Sequence, residues 1–308
     1  MARPGIINFL FYGVRGALGL SPPGRSLHIF SDDVFLVSFP KSGNTWTRFL
    51  VGNLISTAQP ATFSNIHILV PDPTGTSRRD FNRIPRPRVI KSHECFNPRY
   101  PRVIYIVRDP RDVVVSQYHY YRKIREIADE LPLETFVGRF LAGETWPYAW
   151  GHHLVSWEQH VLTWLGTREG NPRFLMLRYE DMLADTCCEL RKLAAFIGLD
   201  ITNAQLAQAV ERSSAGKMRQ IEQAQGADLD RMMGANSRKD LMFVRAAVSG
   251  GWRKDLPMPM VETIEAAWGP MMRHLGYGLT TQAPTKACDH GTITLDFGSR
   301  VGRTLLTN

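Results

Sequence analysis

The sequence predicts one α/β domain: a mostly parallel sheet flanked by helices and entered through a phosphate-loop-like strand–turn–helix. Two patterns carry this expectation. Short apolar runs at residues 34–37, 103–108 and 173–179 read as strands buried on both faces. Helical spacing fills the stretches between them, and strands alternating with helices form parallel sheets covered on both sides. The length of 308 residues allows one large domain with a sizeable core. Contents of 44% hydrophobic and 21% charged residues are ordinary for a globular chain.

The first element decides the reading. Val34, Phe35, Leu36 and Val37 form an apolar run that Pro40 stops. Lys41, Ser42, Gly43, Asn44 and Thr45 follow, and then Trp46, Phe49, Leu50 and Leu54 recur at helical spacing. This layout aims backbone N–H groups and the positive end of a helix dipole at an anion. Lys41 adds a full charge, and Ser42 and Thr45 add hydroxyls. The turn departs from the common GxxxxGK[ST] loop, because its Lys precedes its only Gly and Ser38 stands where the first Gly would be. Taken alone, it also reads as a plain connection with an exposed lysine.

The remaining elements follow in order. Ser31-Asp32-Asp33 is a turn before the first strand. Residues 60–88, rich in Pro, Thr, Ser and Arg, read as a long excursion over the domain face, the kind that forms lids and binding loops. Residues 88–93 read as a short strand that carries Lys91 and His93 to its end. Positions two apart share a face, and ligands of open α/β sheets sit beyond the carboxyl ends of strands. Histidine suits general-base work near neutral pH, whereas a loop-bound structural histidine is the alternative. The strand ending at Arg108 passes to Asp109, an N-cap, and Pro110, at the first helical position. The helix runs through Ser116 and Tyr121 to Lys123, and Arg108 and Ser116 are placed to meet a second phosphate.

Residues 126–167 are helical in flavour. Their aromatics, Phe136, Phe140, Trp146, Tyr148, Trp150, Trp157 and Trp164, suit a core more than a ligand box. After the strand at 173–179 comes a helix with Leu190, Leu193, Ala194 and Ile197, closed by Gly198. A short helix is expected over residues 203–212. Residues 220–239, polar and Met-rich, read as a mobile connection or lid. Ser249-Gly250-Gly251-Trp252-Arg253-Lys254 offers another backbone anion site, residues 261–275 an amphipathic helix, and the tail from Thr280 is polar and weakly patterned. The chain thus divides into an N-terminal segment (1–30), a domain (31–279) and a tail (280–308), without internal repeats.

A net charge of +8 and a pI near 9.5 favour anionic ligands. Cys95, Cys187, Cys188 and Cys288 lack metal-ligand spacing and suggest no disulfide framework, which fits a reducing cytoplasm. Residues 6–20 are apolar but carry Arg15 and several glycines, too short and broken for a membrane span and without a cleavage site. They fit either a segment packed on the domain or one lying on a membrane surface.

Several separated motifs agree on one family. PKSGNTW (residues 40–46) resembles the 5′-phosphosulfate loop of the cytosolic-type sulfotransferases that use 3′-phosphoadenosine 5′-phosphosulfate (PAPS). KSH (91–93) is similar to their strand bearing the catalytic Lys and His, and RVIYIVRDPRDVVVSQYHYY (102–121) to their 3′-phosphate segment. RYEDM (178–182) and VRAAVSGGWRK (244–254) resemble later nucleotide-side elements. The resemblance spans residues 33–275.

It implies that Lys41, Ser42, Gly43, Asn44 and Thr45 hold the 5′-phosphosulfate and Trp46 stacks on adenine. Arg108, Ser116 and Arg245 would bind the 3′-phosphate, with Tyr179 and Ser213 near the adenine. His93 would be the base, Lys41 and Lys91 would stabilise the transferring group, and Tyr120 would line the acceptor site. The donor is then PAPS and the product PAP, with no metal, since fixed cations and amides do that work. The acceptor would be a small molecule, lipid or glycan rather than nucleic acid, and relatives suggest a homodimer. Some departures stand out. Ala215 replaces an aromatic, and Ala246 and Ala247 replace a Lys-Gly pair, which predicts weaker donor binding. Asn44 stands where Thr is common, and Gly251 and Arg253 replace Asp and Lys. Two rival readings are a phosphate-loop kinase, which lacks its Lys after Gly, and a nucleotide-binding or membrane-surface protein without catalysis.

Overall fold

The computed structural model describes residue 18, residues 21–145 and residues 155–281 apart from 235 and 246. Strands β1 (Val34–Ser38), β2 (Val89–Ser92), β3 (Arg102–Val107) and β4 (Phe174–Arg178) form one parallel sheet in the order β2-β1-β3-β4. Val37 is paired with Ser92 on one side and Tyr105 on the other, so the carboxyl ends of the three strands lie level.

Alternation along the strands separates two cores. Val34, Leu36, Ile104 and Ile106 face one side and pack with Phe49 and Leu50 of α1 (Asn44–Ile55). Phe35, Val37, Val103 and Tyr105 face the other and pack with Val113 and Val114 of α2 (Pro110–Lys123). The same layer takes Phe136 and Phe140 of α3 (Leu133–Leu141), Trp157 and Trp164 of α4 (Trp157–Arg168), and Trp268 further on. The helices after β1 and β3 therefore leave on opposite faces. The crevice between those strand ends is the topological switch point, where ligands bind in such sheets.

Tyr179 opens α5 (Tyr179–Ala184), followed by α6 (Thr186–Ile197), α7 (Asn203–Arg212), α8 (Ala215–Ala224), α9 (Gly226–Met233) and α10 (Met258–His274). The expected caps are present: the Asp109 carboxylate accepts from the Arg111 N–H before α2, and Gly198 ends α6 at φ 82°. Two local expectations change. The excursion over residues 60–88 is packed, with one-turn helices at Ile66–Leu69 and Arg78–Phe81 and with Phe63, Ile66, Val70 and Phe81 buried. The stretch expected as a mobile connection over 220–239 is largely helical, in α8 and α9, because Leu229 buries against the β1 side of the core. Trp146, Tyr148, Trp150, Ala246, most of residues 6–20 and the tail after residue 281 lie outside the described residues.

Candidate active site

The turn after β1 is built around Gly43, the N-cap of α1 at φ 100°. A Cβ there would stand 2.5 Å from Cδ2 of Tyr179, so both the conformation and the close ring demand glycine. Lys41 also lies in the left-handed region, at φ 70°. Ser42 Oγ is buried and has no hydrogen-bond partner among the described residues; the same holds for Arg108 Nε. Orphaned buried polar atoms of this kind call for a ligand.

Asn44 differs from the expectation of an anion contact through its amide. Its Nδ2 donates to the Leu36 carbonyl and to Ser38 Oγ, each at 3.2 Å. It ties the turn back to the strand, leaving its backbone N–H at the helix start. Thr45 is half-buried on the first turn of α1.

Three cations share the crevice. Arg108 donates through Nη1 to the Lys41 carbonyl and through Nη2 to the Val248 carbonyl, both at 3.2 Å, and its guanidinium lies 4.3 Å from the Tyr179 ring centre. Lys41 Nζ sits 4.2 Å from the ring centre of Tyr120 and 4.5 Å from that of Phe243. Burial lowers the Lys41 ammonium to about 7, and the charges of Arg108 and Arg245 push it the same way. Arg245 lies 3.6 Å from Asp255 and is itself lowered, by burial first. Mutual repulsion among three cations is what a bound polyanion relieves.

Trp46 and Tyr179 make an edge-to-face pair at 5.6 Å, and Trp46 Nε1 donates to the Ser213 carbonyl at 3.0 Å. The Ser213 hydroxyl itself is buried and accepts from Asn53 Nδ2 at 3.0 Å, so Ser213 meets this corner through its backbone. Ser116 is half-buried on α2. It shares a helix face with His119 and Tyr120, three and four positions on. Tyr120 cages Lys41, and Arg245 is among the causes that lower His119 to about 4, after burial.

The ends of β1 and β2 bring a histidine and a lysine beside the turn. His93 Nδ1 donates to the Ser38 carbonyl at 2.7 Å, which makes Nε2 the basic nitrogen of the neutral ring. Burial, and then the Lys91 ammonium, hold the imidazolium well below its usual range. Lys91 pairs with Asp72 at 2.5 Å, a partner that the sequence does not reveal. Ser92, between them, turns the other way to Tyr100 at 3.0 Å. Behind His93, the buried ring of His160 donates through Nε2 to the carbonyls of His93 and Glu94, at 3.2 and 3.1 Å. The Tyr105 hydroxyl donates to its Nδ1 at 2.9 Å.

A second device missed in the sequence is Asp112. It accepts the N–H groups of Gly250 (2.7 Å) and Trp252 (2.9 Å) and so holds the glycine loop against Arg108. Those N–H groups are turned to a carboxylate of the chain, which argues against the expected anion site there. Gly251 sits above that carboxylate, since a Cβ would meet Asp112 Oδ1 at 3.7 Å.

A parallel sheet with an anion turn at its switch point, flanked by cations and a neutral buried histidine, defines a group-transfer enzyme acting on a phosphorylated donor. The comparisons name the family. The sulfotransferase domain model matches residues 31–276. Sulfotransferase 1A1 of Bos taurus is 28% identical over 267 residues, 81% of this chain and 86% of its own. Sulfotransferase 2B1 of Rattus norvegicus is 27% identical over 288 residues, covering 87% and 80%. The mouse sulfotransferase SULT7A1 complexed with PAP superposes with TM-score 0.62 at 25% identity, covering 84% of this chain and 91% of that one. A retinol dehydratase in complex with androsterone and PAP gives TM-score 0.63 at 19% identity, over 85% of each chain, a likeness of fold. This chain belongs to the sulfotransferase domain family and is a PAPS-dependent sulfotransferase. The kinase reading is thereby set aside.

Proposed function

We propose that the chain moves the sulfuryl group of PAPS to a hydroxyl or amine of a small acceptor, with His93 as general base. One observation carries this reading: Lys41, Arg108 and Arg245 converge on a turn with an unpartnered buried Ser42 Oγ, beside a neutral histidine at the next strand end. Residues 41–45 take the 5′-phosphosulfate, Arg108, Ser116 and Arg245 take the 3′-phosphate, and Trp46 and Tyr179 take the adenine. His93 Nε2 accepts the acceptor proton as the acceptor oxygen bonds to sulfur. The S–O bond to the 5′-phosphate breaks, and PAP leaves with the electron pair. Positioned bases contribute ~10²–10⁴-fold. Lys41 and the amides of α1 stabilise charge growing on the bridging oxygen. Lys91 lends its charge from the pair with Asp72.

Glu94, the carboxylate next to His93, has its Oε2 engaged by the hydroxyl of Tyr100 at 2.8 Å and by Asn97 Nδ2 at 2.9 Å, which supports His93 rather than Glu94 as the base. Phe39, which follows Ser38, packs edge-on to Phe140 at 5.9 Å and to His160 at 5.7 Å. These rings are buried in the core, and support for an apolar alcohol as acceptor comes from the androsterone bound in the retinol dehydratase complex. The free thiols of Cys95, Cys187 and Cys188 support a reducing compartment. Turnover of labelled PAPS against phenols, alcohols, amines and sugars tests the reading. Transfer to one class supports it, and PAP binding without any transfer leaves a nucleotide-binding protein.

A further inference from the structure

The three residues 243–245 contribute two side chains to the site, and their backbone is held from both sides by one helix. On α8, Glu222 accepts the N–H of Phe243 at 2.5 Å and of Val244 at 2.9 Å. One turn earlier, Arg219 donates through Nε to the Val244 carbonyl (3.2 Å) and through Nη2 to the Arg245 carbonyl (2.8 Å). Positions three apart on a helix share a face, so the acid and the base grip the same short segment. Glu222 is buried, and Lys123 Nζ stands 3.9 Å from its Oε1. That ammonium also donates to the carbonyls of Arg238 (3.0 Å) and Leu241, and the Arg238 N–H donates back to the Lys123 carbonyl at 2.7 Å. The segment from 238 to 245 is thus fastened to the end of α2 and to α8 in turn.

We propose that Arg219 and Glu222 are positioning residues of the donor site, which fix the backbone of residues 243–245 and thereby present Arg245 to the 3′-phosphate of the nucleotide. Neither residue touches the nucleotide itself. The arrangement has a specific use in this chain. Ala247, two residues after Arg245, adopts φ 51° without the freedom of glycine. A backbone pinned on both edges holds Arg245 in place ahead of that position. Reduced freedom in the free protein lowers the ordering cost of binding, so the loss of the clamp falls on nucleotide affinity.

The inference rests on the reading of Arg245 as a 3′-phosphate ligand, and the test separates the two. PAP and adenosine 5′-phosphate differ by that phosphate alone, so the ratio of their dissociation constants, measured by calorimetry on the full chain, reports its grip. For Arg219→Ala we expect the ratio to fall at least fivefold, with adenosine 5′-phosphate bound within twofold of wild type and Arg219→Lys restoring part of the loss, and for Glu222→Gln we expect the same fall in the ratio. Arg219→Ala removes both carbonyl contacts independently, so it carries the test even if Glu222→Gln fails to fold. An unchanged ratio in Arg219→Ala overturns the proposal while leaving the 3′-phosphate assignment standing. An equal loss for both nucleotides overturns it too, since that is the mark of general loosening. Equal affinity of the wild type for both nucleotides overturns the assignment of Arg245 itself, and the clamp with it.

Discussion

His93 Nδ1 donates to the Ser38 carbonyl at 2.7 Å, which joins the end of β2 to the end of β1 two residues before the Pro40-Lys41 turn. A carbonyl can only accept, so this bond fixes the tautomer and assigns base strength to Nε2. Burial and Lys91 keep the ring neutral, so Nε2 can accept a proton throughout neutral pH and loses that capacity only as pH falls through a value well below 6.5. We expect a pH–rate profile with no imidazole limb between pH 6 and 8. A tenfold loss of rate on going from pH 8 to pH 6, with saturating PAPS, would count against the assignment.

Lys41 sets a pH dependence of the opposite sign. Its ammonium lies near 7 in the free protein, and a bound polyanion raises it. Affinity for PAP is then full below about pH 7 and declines as pH rises above it, with proton uptake on binding. Calorimetry at pH 6.5 and 8.5, in two buffers of different ionisation enthalpy, measures both effects. Lys41→Arg, which does not titrate in this range, flattens the slope. A wild-type affinity that does not change across this range contradicts the electrostatics described for the turn.

Arg108 touches two loops and the Tyr179 ring, and carries a buried Nε without a partner among the described residues. With Arg108 on the 3′-phosphate as proposed, we expect Arg108→Ala to weaken PAP by roughly tenfold or more, about 1.4 kcal/mol. Unchanged affinity by calorimetry places that phosphate elsewhere.

What the sequence showed and what it hid divide along physical lines. The buried parallel strands, the Asp109-Pro110 start of α2 and the Lys41 turn were legible, because each rests on neighbours in the chain. Partners distant in sequence were not. Asp72 meets Lys91 across 19 positions, and Glu222 meets Phe243 across 21. Asn44 was expected at the anion, but the strand end offered its amide two acceptors first. Helix α9 was missed because its glycine and polar residues read locally as a loop, whereas the burial of Leu229 decides the outcome.

Gly43 is a direct test of the cradle. Gly43→Ala forces a Cβ into Tyr179 at 2.5 Å and a side chain into φ 100°. We expect a loss of about 1–3 kcal/mol in chemical denaturation, together with weaker PAP binding. A variant with wild-type stability and affinity would mean that the turn does not need its close ring.

Asp112 supports Arg108 from the other side. Asp112→Ala leaves the N–H groups of Gly250 and Trp252 without their acceptor, at about 1–3 kcal/mol for each that stays buried. Stability and PAP affinity should fall together, and Asp112→Asn should retain part of both. Normal PAP affinity in the alanine variant would detach this loop from the donor site.

The grip on the nucleotide and the removal of the acceptor proton should fall to different residues. Single-turnover transfer from labelled PAPS, run on wild type and His93→Ala with PAP affinity measured on the same samples, addresses this division most directly. We expect His93→Ala to bind PAP like wild type and to transfer no measurable sulfuryl group. Retained transfer at a wild-type rate contradicts it and moves the search for the base to Glu94.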